Sequence, residues 1–271
     1  MNKALKTVIF SIIYLYIGMA ALLYFQQRSL MYFPGGERED IATFDIPQPK
    51  TIPVQSEPGI TFNAWYWPAE AEMATIVFFH GNGQAYPYWI NKLMLYHNEG
   101  YGIFFTDYRG YGGVNGKPSE KGIYTDARAH LRALMQATGL KPENLVYLGE
   151  SLGTGVATQM ATEFPPQAII YESAYSGTND IAKGRYWMFP IDLLMKDKYR
   201  SIDKIKSLTM PKLFIHGKQD AVIPIRYARK LFQTAPEPKQ MVELNNAGHN
   251  NLYDHGAQLH ISRFLSKLPN L

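Results

Sequence analysis

Short apolar runs alternate along this chain with longer segments whose apolar residues recur every three or four positions. The runs have the length and composition of buried strands, and they fall at 75–79, 102–106, 145–148, 168–171, 211–215 and 240–244. The longer segments are typical of amphipathic helices, and they fall at 86–99, 120–138 and 252–268. Strands that alternate with helices predict an α/β protein with a mostly parallel central sheet flanked by helices.

Two earlier segments have a different character. Apolar and polar residues alternate at 60–67, which predicts another strand. The preceding segment, 37–58, is rich in proline and acidic residues, and we expect it to be an extended lead-in to the sheet.

The amino-terminal segment is the most apolar part of the chain. No charged residue occurs from 7 to 27, and as a helix this stretch would be about 31 Å long, close to the hydrocarbon core of about 30 Å. Tyr24 and Phe25 lie where an interfacial aromatic belt would fall, and Arg28 ends the run. A cleaved signal peptide, with a small-residue site at 18–20, is the alternative. Because the apolar run continues past that site, we favour an uncleaved transmembrane anchor.

The motif G-E-S-L-G at 149–153 carries the candidate chemistry. It follows the apolar run 145–148 and precedes a segment of small, helix-compatible residues. In this strand–turn–helix context, G-x-S-x-G is a nucleophile elbow, a strained turn that exposes a serine hydroxyl at the end of a sheet strand. We therefore predict that Ser151 is a nucleophile.

A serine nucleophile needs a histidine base and an acid that orients the base, and on this fold they follow in the order Ser, Asp, His. Asp220 lies in the loop after the strand 211–215, and His249 lies after the strand 240–244. A lone loop aspartate is most often a turn residue, and a lone histidine is most often structural. Their order and their positions after strands predict a catalytic triad of Ser151, Asp220 and His249.

An oxyanion hole requires N–H donors that point at the attacked carbonyl oxygen. One donor is expected to be the backbone N–H of Leu152, directly after the nucleophile. The other is expected from the loop after the strand 75–79, where we assign the backbone N–H of Asn82, although Gly81 or Gly83 could serve instead. His80 precedes the serine in the chain, so we interpret it as structural.

The ordered set of motifs resembles a known family. They are H-G-N-G at 80–83, D-Y-R-G-Y-G at 107–112, P-S-E-K-G at 118–122, G-E-S-L-G at 149–153, H-G-K-Q-D at 216–220 and G-H at 248–249. Over roughly residues 30–265 the chain resembles α/β-hydrolase fold proteins, and among them the membrane-anchored serine hydrolases of the bud-emergence and abhydrolase-domain group. The resemblance implies esterase, thioesterase or lipase-like activity, and for some relatives a peptidase-type activity.

Composition removes several classes of function. The 271 residues include no cysteine, which excludes disulfides, a cysteine nucleophile and thiolate metal sites. There is neither an H-E-x-x-H metal motif nor a phosphate-binding loop, and no basic stripe typical of nucleic-acid binding. We therefore predict no metal, no cofactor and no nucleic-acid partner, and we attribute the net charge of +4 to solubility.

The expected organisation is a membrane anchor at 1–28 followed by a catalytic α/β-hydrolase domain at 29–271. Within that domain, an aromatic- and methionine-rich insertion at about 177–205 is expected to cap an apolar acyl pocket. Lys3, Lys6 and the amino terminus precede the apolar span, against Arg28 and Arg38 after it. The slight excess before the span favours an inside amino terminus and an extracytoplasmic catalytic domain.

The predicted function is hydrolysis of an apolar acyl ester, thioester or lipid-like small molecule through an acyl-enzyme. One alternative is an aminopeptidase, which would need a further carboxylate to bind the substrate ammonium, with Glu150 and Glu172 as candidates. The other is a non-catalytic membrane-tethered scaffold, which the filled triad positions disfavour.

Overall fold

An eight-stranded sheet forms the centre of the protein. The computed structural model describes residues 2–83 and 85–270. The strands are β1 (Lys50–Glu57), β2 (Ile60–Trp67), β3 (Thr75–Phe79), β4 (Gly102–Phe105), β5 (Leu145–Glu150), β6 (Ala168–Glu172), β7 (Lys212–Gly217) and β8 (Lys239–Leu244). Their order in the sheet is β1-β2-β4-β3-β5-β6-β7-β8. Strand β2 runs antiparallel to both neighbours, and the pairs from β4 to β8 are parallel.

Helices cover both faces of this sheet. The helices of the described residues are α1 (Lys3–Met31), α2 (Tyr86–His97), α3 (Glu120–Thr138), α4 (Leu152–Glu163), α5 (Thr178–Arg185), α6 (Ile191–Leu194), α7 (Ser201–Lys204), α8 (Arg226–Thr234) and α9 (Ala257–Leu265). Apolar residues of α3, α4 and α8 pack in one core layer, and those of α2 and α9 pack in the layer on the opposite face. The predicted mostly parallel sheet flanked by helices is confirmed.

Local sequence signals account for the ends of the helices. Helix α3 begins after Ser119, whose side chain accepts a 3.1 Å hydrogen bond from the N–H of Gly122. It ends at Gly139, which adopts a left-handed φ of 75° that an L-residue would resist. The predicted bounds of 120–138 therefore match the observed helix.

Two segments differ from the sequence expectation. Part of the segment expected to be extended chain forms β1, whose buried Ile52 and Val54 flank an exposed proline, Pro53. A proline at an edge strand obscures the strand pattern but costs only one ladder bond. The predicted continuous helix 252–268 is interrupted at Gly256, which has a φ of 88° and separates a short 3₁₀ turn from α9.

The parallel strands end at a common edge, and that edge gathers the predicted site residues. The loops leaving β3, β5, β7 and β8 carry Asn82, Ser151, Asp220 and His249 respectively. The region between β6 and β7 holds α5, α6 and α7, and we refer to this segment, which the sequence predicts to be a cap, as the cap. Helix α1 contacts this cap, and it is long and apolar enough to cross a membrane.

Candidate active site

Ser151 occupies a strained turn between β5 and α4. Its backbone has φ 50° and ψ −116°, a conformation that non-glycine residues rarely adopt. The Ser151 N–H donates to the carbonyl of Glu172 at 2.8 Å, and the Ser151 carbonyl accepts from the N–H of Thr154 at 3.0 Å. The hydrogen bonds on both sides hold the serine at the carboxyl edge of the sheet.

The two elbow glycines have a steric explanation. A Cβ atom on Gly153 would lie 1.9 Å from the carbonyl oxygen of Phe79, inside van der Waals contact. A Cβ atom on Gly149 would lie 2.8 Å from the carbonyl oxygen of Gly153. Helix α4 can therefore approach β3 and β5 this closely only because both positions lack side chains.

His249 lies between the other two predicted triad residues. Its Nε2 is 3.0 Å from the Ser151 Oγ, and its Nδ1 is 2.7 Å from the Asp220 Oδ2. An ionised carboxylate only accepts hydrogen bonds, so Nδ1 carries the proton and Nε2 is left as an acceptor for the serine hydroxyl. The three side chains form one hydrogen-bonded chain with the polarity that nucleophile activation requires.

Asp220 is held on both of its oxygens. Its Oδ1 accepts hydrogen bonds from the N–H groups of Val222 at 2.8 Å and Ile223 at 2.7 Å. Burial would raise the pKa of Asp220, but contacts from His216 and His249 outweigh burial, and the pKa lies well below its usual range. The carboxylate is therefore ionised at any pH at which the histidine can act as a base.

Leu152, one predicted oxyanion donor, follows the serine directly, and the loop that carries the other, Asn82, passes close to it. Leu152 is the first residue of α4, where N–H groups have no partner within the helix. On the other side, a Cβ atom on Gly81 would lie 3.4 Å from the Cβ of Ser151, so the loop after β3 passes alongside the nucleophile.

The side chain of Asn82 organises this loop. Its Oδ1 accepts from the N–H of Phe33 at 2.9 Å, from the N–H of Gly83 at 3.0 Å and from the hydroxyl of Tyr111 at 2.6 Å. Its Nδ2 donates to the carbonyl of Met31 at 2.6 Å. The loop that precedes α2 is thus tied to the end of α1.

His80 is placed away from the nucleophile, in agreement with a structural role. Its ring is completely buried against Tyr108, with 4.1 Å between ring centroids. Its Nδ1 lies 2.7 Å from the carbonyl of Gly81, and its Nε2 lies 3.3 Å from an oxygen of Asp107.

A buried charge cluster that the sequence did not reveal lies beneath the elbow. The ammonium of Lys92 contacts Glu150 and lies 2.6 Å from Glu172. Glu150 also accepts from the Trp89 indole at 2.9 Å, and Glu172 accepts from the Tyr253 hydroxyl at 2.7 Å. Lys92 lies three residues after Trp89, on the apolar face of α2. This spacing is the sequence signal that could have predicted a buried lysine.

The pKa values of the two carboxyl groups in the cluster are shifted in opposite directions. Burial raises the pKa of Glu172. Burial would also raise the pKa of Glu150, but the adjacent Lys92 ammonium outweighs it and lowers that pKa. Lys92 thus keeps Glu150, the residue directly before the nucleophile, ionised. The Lys92 ammonium also neutralises the negative charge of the Glu150 carboxylate.

An apolar cavity of about 280 Å³ adjoins this site. Asn82 and Ile223, which flank the candidate triad, line one part of it. Most of the rest of its wall comes from α1 and from the cap segment 178–195. Cavities of this kind, apolar with a few polar groups at one end, bind small apolar ligands or parts of them.

Comparisons with known proteins agree on the fold. A family model described as alpha/beta hydrolase fold matches residues 74–170. An esterase of Pyrococcus furiosus superposes with a TM-score of 0.68 at 15% sequence identity, covering 89% of this chain and 99% of that one. At that identity the likeness concerns the fold alone.

Two relatives share more of the sequence. An uncharacterised protein of Mycobacterium tuberculosis is 32% identical over 255 residues, which span 92% of this chain and 91% of the relative. The human alpha/beta hydrolase domain-containing protein 17B is 33% identical over 207 residues, which span 73% of this chain and 68% of the relative. With the sheet order and the elbow described above, these matches show that the chain belongs to the α/β-hydrolase family.

Proposed function

We propose that this protein is a serine hydrolase that cleaves ester or thioester bonds of apolar acyl substrates through Ser151, His249 and Asp220. The observation that carries the proposal is the hydrogen-bonded chain from Ser151 Oγ through His249 to Asp220. Of the two tautomers of a neutral His249, only the one with the proton on Nδ1 satisfies an ionised Asp220, and that tautomer is the one that activates a serine.

In the acylation step, His249 Nε2 takes the proton from Ser151 as Oγ attacks the substrate carbonyl. Asp220 keeps the imidazole in the required tautomer and stabilises the imidazolium that forms. The backbone N–H groups of Leu152 and Asn82 are proposed to bind the developing oxyanion, a contribution of about 3–4 kcal/mol for each donor in comparable enzymes. The imidazolium then protonates the leaving alcohol or thiol.

In the deacylation step, water takes the place of the leaving group. His249 removes a proton from that water as it attacks the acyl-enzyme carbonyl, and returns the proton to Ser151 Oγ as the acid departs. The apolar cavity beside Asn82 and Ile223 supports an apolar acyl portion, since most of its lining residues are apolar.

The charge cluster argues against the aminopeptidase alternative. A peptidase of that kind would need an unpaired carboxylate near the nucleophile to bind the substrate ammonium. Glu150 and Glu172 are both bound by Lys92, and Glu172 is almost completely buried. Comparing aminoacyl anilides with simple acyl esters as substrates would separate the two functions, and we expect turnover of the esters.

We further propose that α1 anchors the catalytic domain in a membrane, with the domain on the side opposite the amino terminus. The support is the length and apolar composition of the helix and the small excess of positive charge before it. The helix continues to Met31, so the proposed boundary between anchor and catalytic domain at 28/29 falls in its last turn.

Labelling with a small fluorophosphonate probe tests the nucleophile directly. We expect the full chain to be labelled and to hydrolyse a butyrate ester, and Ser151→Ala to do neither. Ser207→Ala removes an exposed serine hydroxyl as a matched control and should behave like the parent. Undiminished labelling of Ser151→Ala would overturn the assignment.

A further inference from the structure

Helix α1 contributes one wall of the apolar cavity. Leu23, Gln27, Leu30 and Met31 of this helix line the cavity opposite the cap segment 178–195. Within α1 the residues that are partly shielded from solvent are Ala20, Leu23, Gln27 and Met31, and the remainder are exposed. Their spacing of three or four residues defines a single face of the helix, which is directed at the catalytic domain.

Polar contacts fix the carboxyl-terminal turns of α1 against the cap. The guanidinium of Arg28 binds Asp197 at 2.7 Å. The amide of Gln27 accepts from the N–H of Lys196 at 2.7 Å and donates to the carbonyl of Leu194 at 3.1 Å. The helix is therefore bonded to the cap directly beside the residues that line the cavity.

A second contact lies much nearer the middle of the helix. The hydroxyl of Tyr16 donates to the carbonyl of Met188 at 2.9 Å, and its ring stacks on Phe189 with 5.1 Å between centroids. Along the helix, Tyr16 is about 16 Å from Gln27. The cap therefore follows α1 over roughly half the thickness of a hydrocarbon core of about 30 Å.

The contact between the cap and the middle of α1 determines how deep in a bilayer the cavity wall would lie. The part of α1 beyond the cap, from Lys3 to residue 15, is about 20 Å long and too short to cross a core of about 30 Å alone. A membrane-spanning α1 therefore brings Leu23 and the adjoining cap to the level of the acyl chains. The exposed apolar residues of the cap agree with this depth, since Trp187 is 78% exposed, Met188 54% and Leu193 82%.

We propose that α1 and the cap form a site for the acyl chain of a bilayer-resident substrate, which enters from the lipid between these two elements. This inference rests on the proposed hydrolase function. The chain occupies the cavity along Leu23 and Leu30, and the carbonyl reaches Ser151 beside Asn82. The anchor is thereby a substrate-binding element, and Leu23 determines the acyl length that the enzyme accepts.

A pair of variants on neighbouring faces of α1 tests this role. Leu23→Trp fills the cavity wall, whereas Leu22→Trp places the same side chain at a position that is 63% exposed on the helix surface. Activity is measured on 4-methylumbelliferyl acetate, butyrate, octanoate and palmitate, with the full chain reconstituted in phosphatidylcholine vesicles. For Leu23→Trp we expect the ratio of palmitate to butyrate turnover to fall about tenfold or more, and for Leu22→Trp we expect the parent ratio.

A second variant and a contradicting result keep the acyl site testable if Leu23→Trp is uninformative. If Leu23→Trp folds poorly, Leu23→Ala enlarges the cavity instead, and its optimum should move towards longer chains. Equal chain-length profiles for the parent, Leu23→Trp and Leu23→Ala would overturn the acyl site. The fall in the palmitate-to-butyrate ratio for Leu23→Trp is expected in whichever series the parent hydrolyses, oxygen esters or S-acyl thioesters. Ser151→Ala separates the acyl site from the proposed function on which it rests, because full activity in that variant would refute Ser151 as the nucleophile whatever the chain-length profile.

Discussion

Asn82 Nδ2 donates a 2.6 Å hydrogen bond to the carbonyl of Met31, the last residue of α1. The same side chain accepts from the N–H of Phe33, two residues further on. Since the backbone of Asn82 is the proposed oxyanion donor, the end of the amino-terminal helix and the candidate catalytic loop form one connected unit. A truncation that removes α1 is therefore expected to disturb the candidate catalytic loop as well as the proposed membrane anchoring.

Replacing Asn82 by alanine tests this connection. The backbone N–H remains in Asn82→Ala, but the four hydrogen bonds of the side chain are lost, so we expect the loop to shift. A displacement near 1 Å lowers the rate by about 10²-fold, and the effect should fall mainly on kcat. The exposed Asn98 provides a control variant, Asn98→Ala. A folded Asn82→Ala with the parent kcat would contradict the connection.

The orientation of His249 by Asp220 predicts a large effect of an isosteric change. In Asp220→Asn, the Oδ1 can still accept from the N–H groups of Val222 and Ile223, so the loop is retained. The new amide faces His249 Nδ1 and favours the wrong tautomer, which should lower kcat by about 10⁴-fold. Steady-state kinetics measures this, with Asp45→Asn at an exposed position as the control. A loss below about tenfold would mean that Asp220 does not orient the base.

The packing of α4 on β3 predicts that Gly153 cannot be enlarged. Since a Cβ atom would lie 1.9 Å from the Phe79 carbonyl oxygen, Gly153→Ala should lower the free energy of unfolding by about 4 kcal/mol or more. Thermal unfolding in detergent micelles reports the change. Gly18→Ala is the matched control, since a Cβ atom there would meet nothing within 4 Å. Similar unfolding temperatures for both variants would refute the steric explanation of the elbow.

The buried cluster predicts a strong dependence on Lys92. Lys92→Met leaves Glu150 and Glu172 without their cation, and we expect a loss of about 3–5 kcal/mol in the free energy of unfolding. Adding Glu172→Gln removes one of the two uncompensated carboxyl groups and should recover part of this loss. Lys121→Met, at an exposed position, controls for the general effect of removing a lysine. No recovery in the double variant would show that the cluster does not act through charge.

The lowered pKa of the buried Lys212 predicts that the free energy of unfolding changes with pH in the alkaline range. Burial lowers the pKa of Lys212 to about 8, and its Nζ donates to the carbonyls of Leu208 and Met210, which a neutral amine can also do. In the unfolded chain a lysine titrates near 10.4, so between about pH 8 and about pH 10 the unfolded chain retains a proton that the folded protein has released. The stability contributed at this position therefore rises with pH through that window.

Thermal unfolding across this window measures the effect. Relative to Lys212→Met, the parent should gain stability as the pH rises from about 8 to about 10. Lys206→Met, at an exposed lysine, is measured in the same way as the control for removing a lysine. A pH-independent difference between the parent and Lys212→Met would contradict the lowered pKa.

The sequence by itself determined the class of fold and the candidate triad. Ser151, Asp220 and His249 each lie in the turn or loop that follows an apolar strand, and the glycines around Ser151 identify a strained turn. These are local signals, since strand burial, turn geometry and chain order are encoded within a few residues. Where the local signal was weak, as at β1 with its Pro53, the prediction failed.

Only the tertiary structure decided which distant side chains meet. Lys92 lies 58 residues from Glu150, and Tyr16 lies 172 residues from Met188, and neither pairing leaves a periodic trace in the sequence. The contacts arise because the sheet order brings α2 beneath the elbow and places the cap along α1. A pattern of hydrophobic positions fixes which face of an element is buried, whereas the relative placement of complete elements fixes what that face touches. For this reason the sequence indicated the candidate chemistry, and the fold revealed that the apolar amino-terminal helix is also a wall of the cavity beside it.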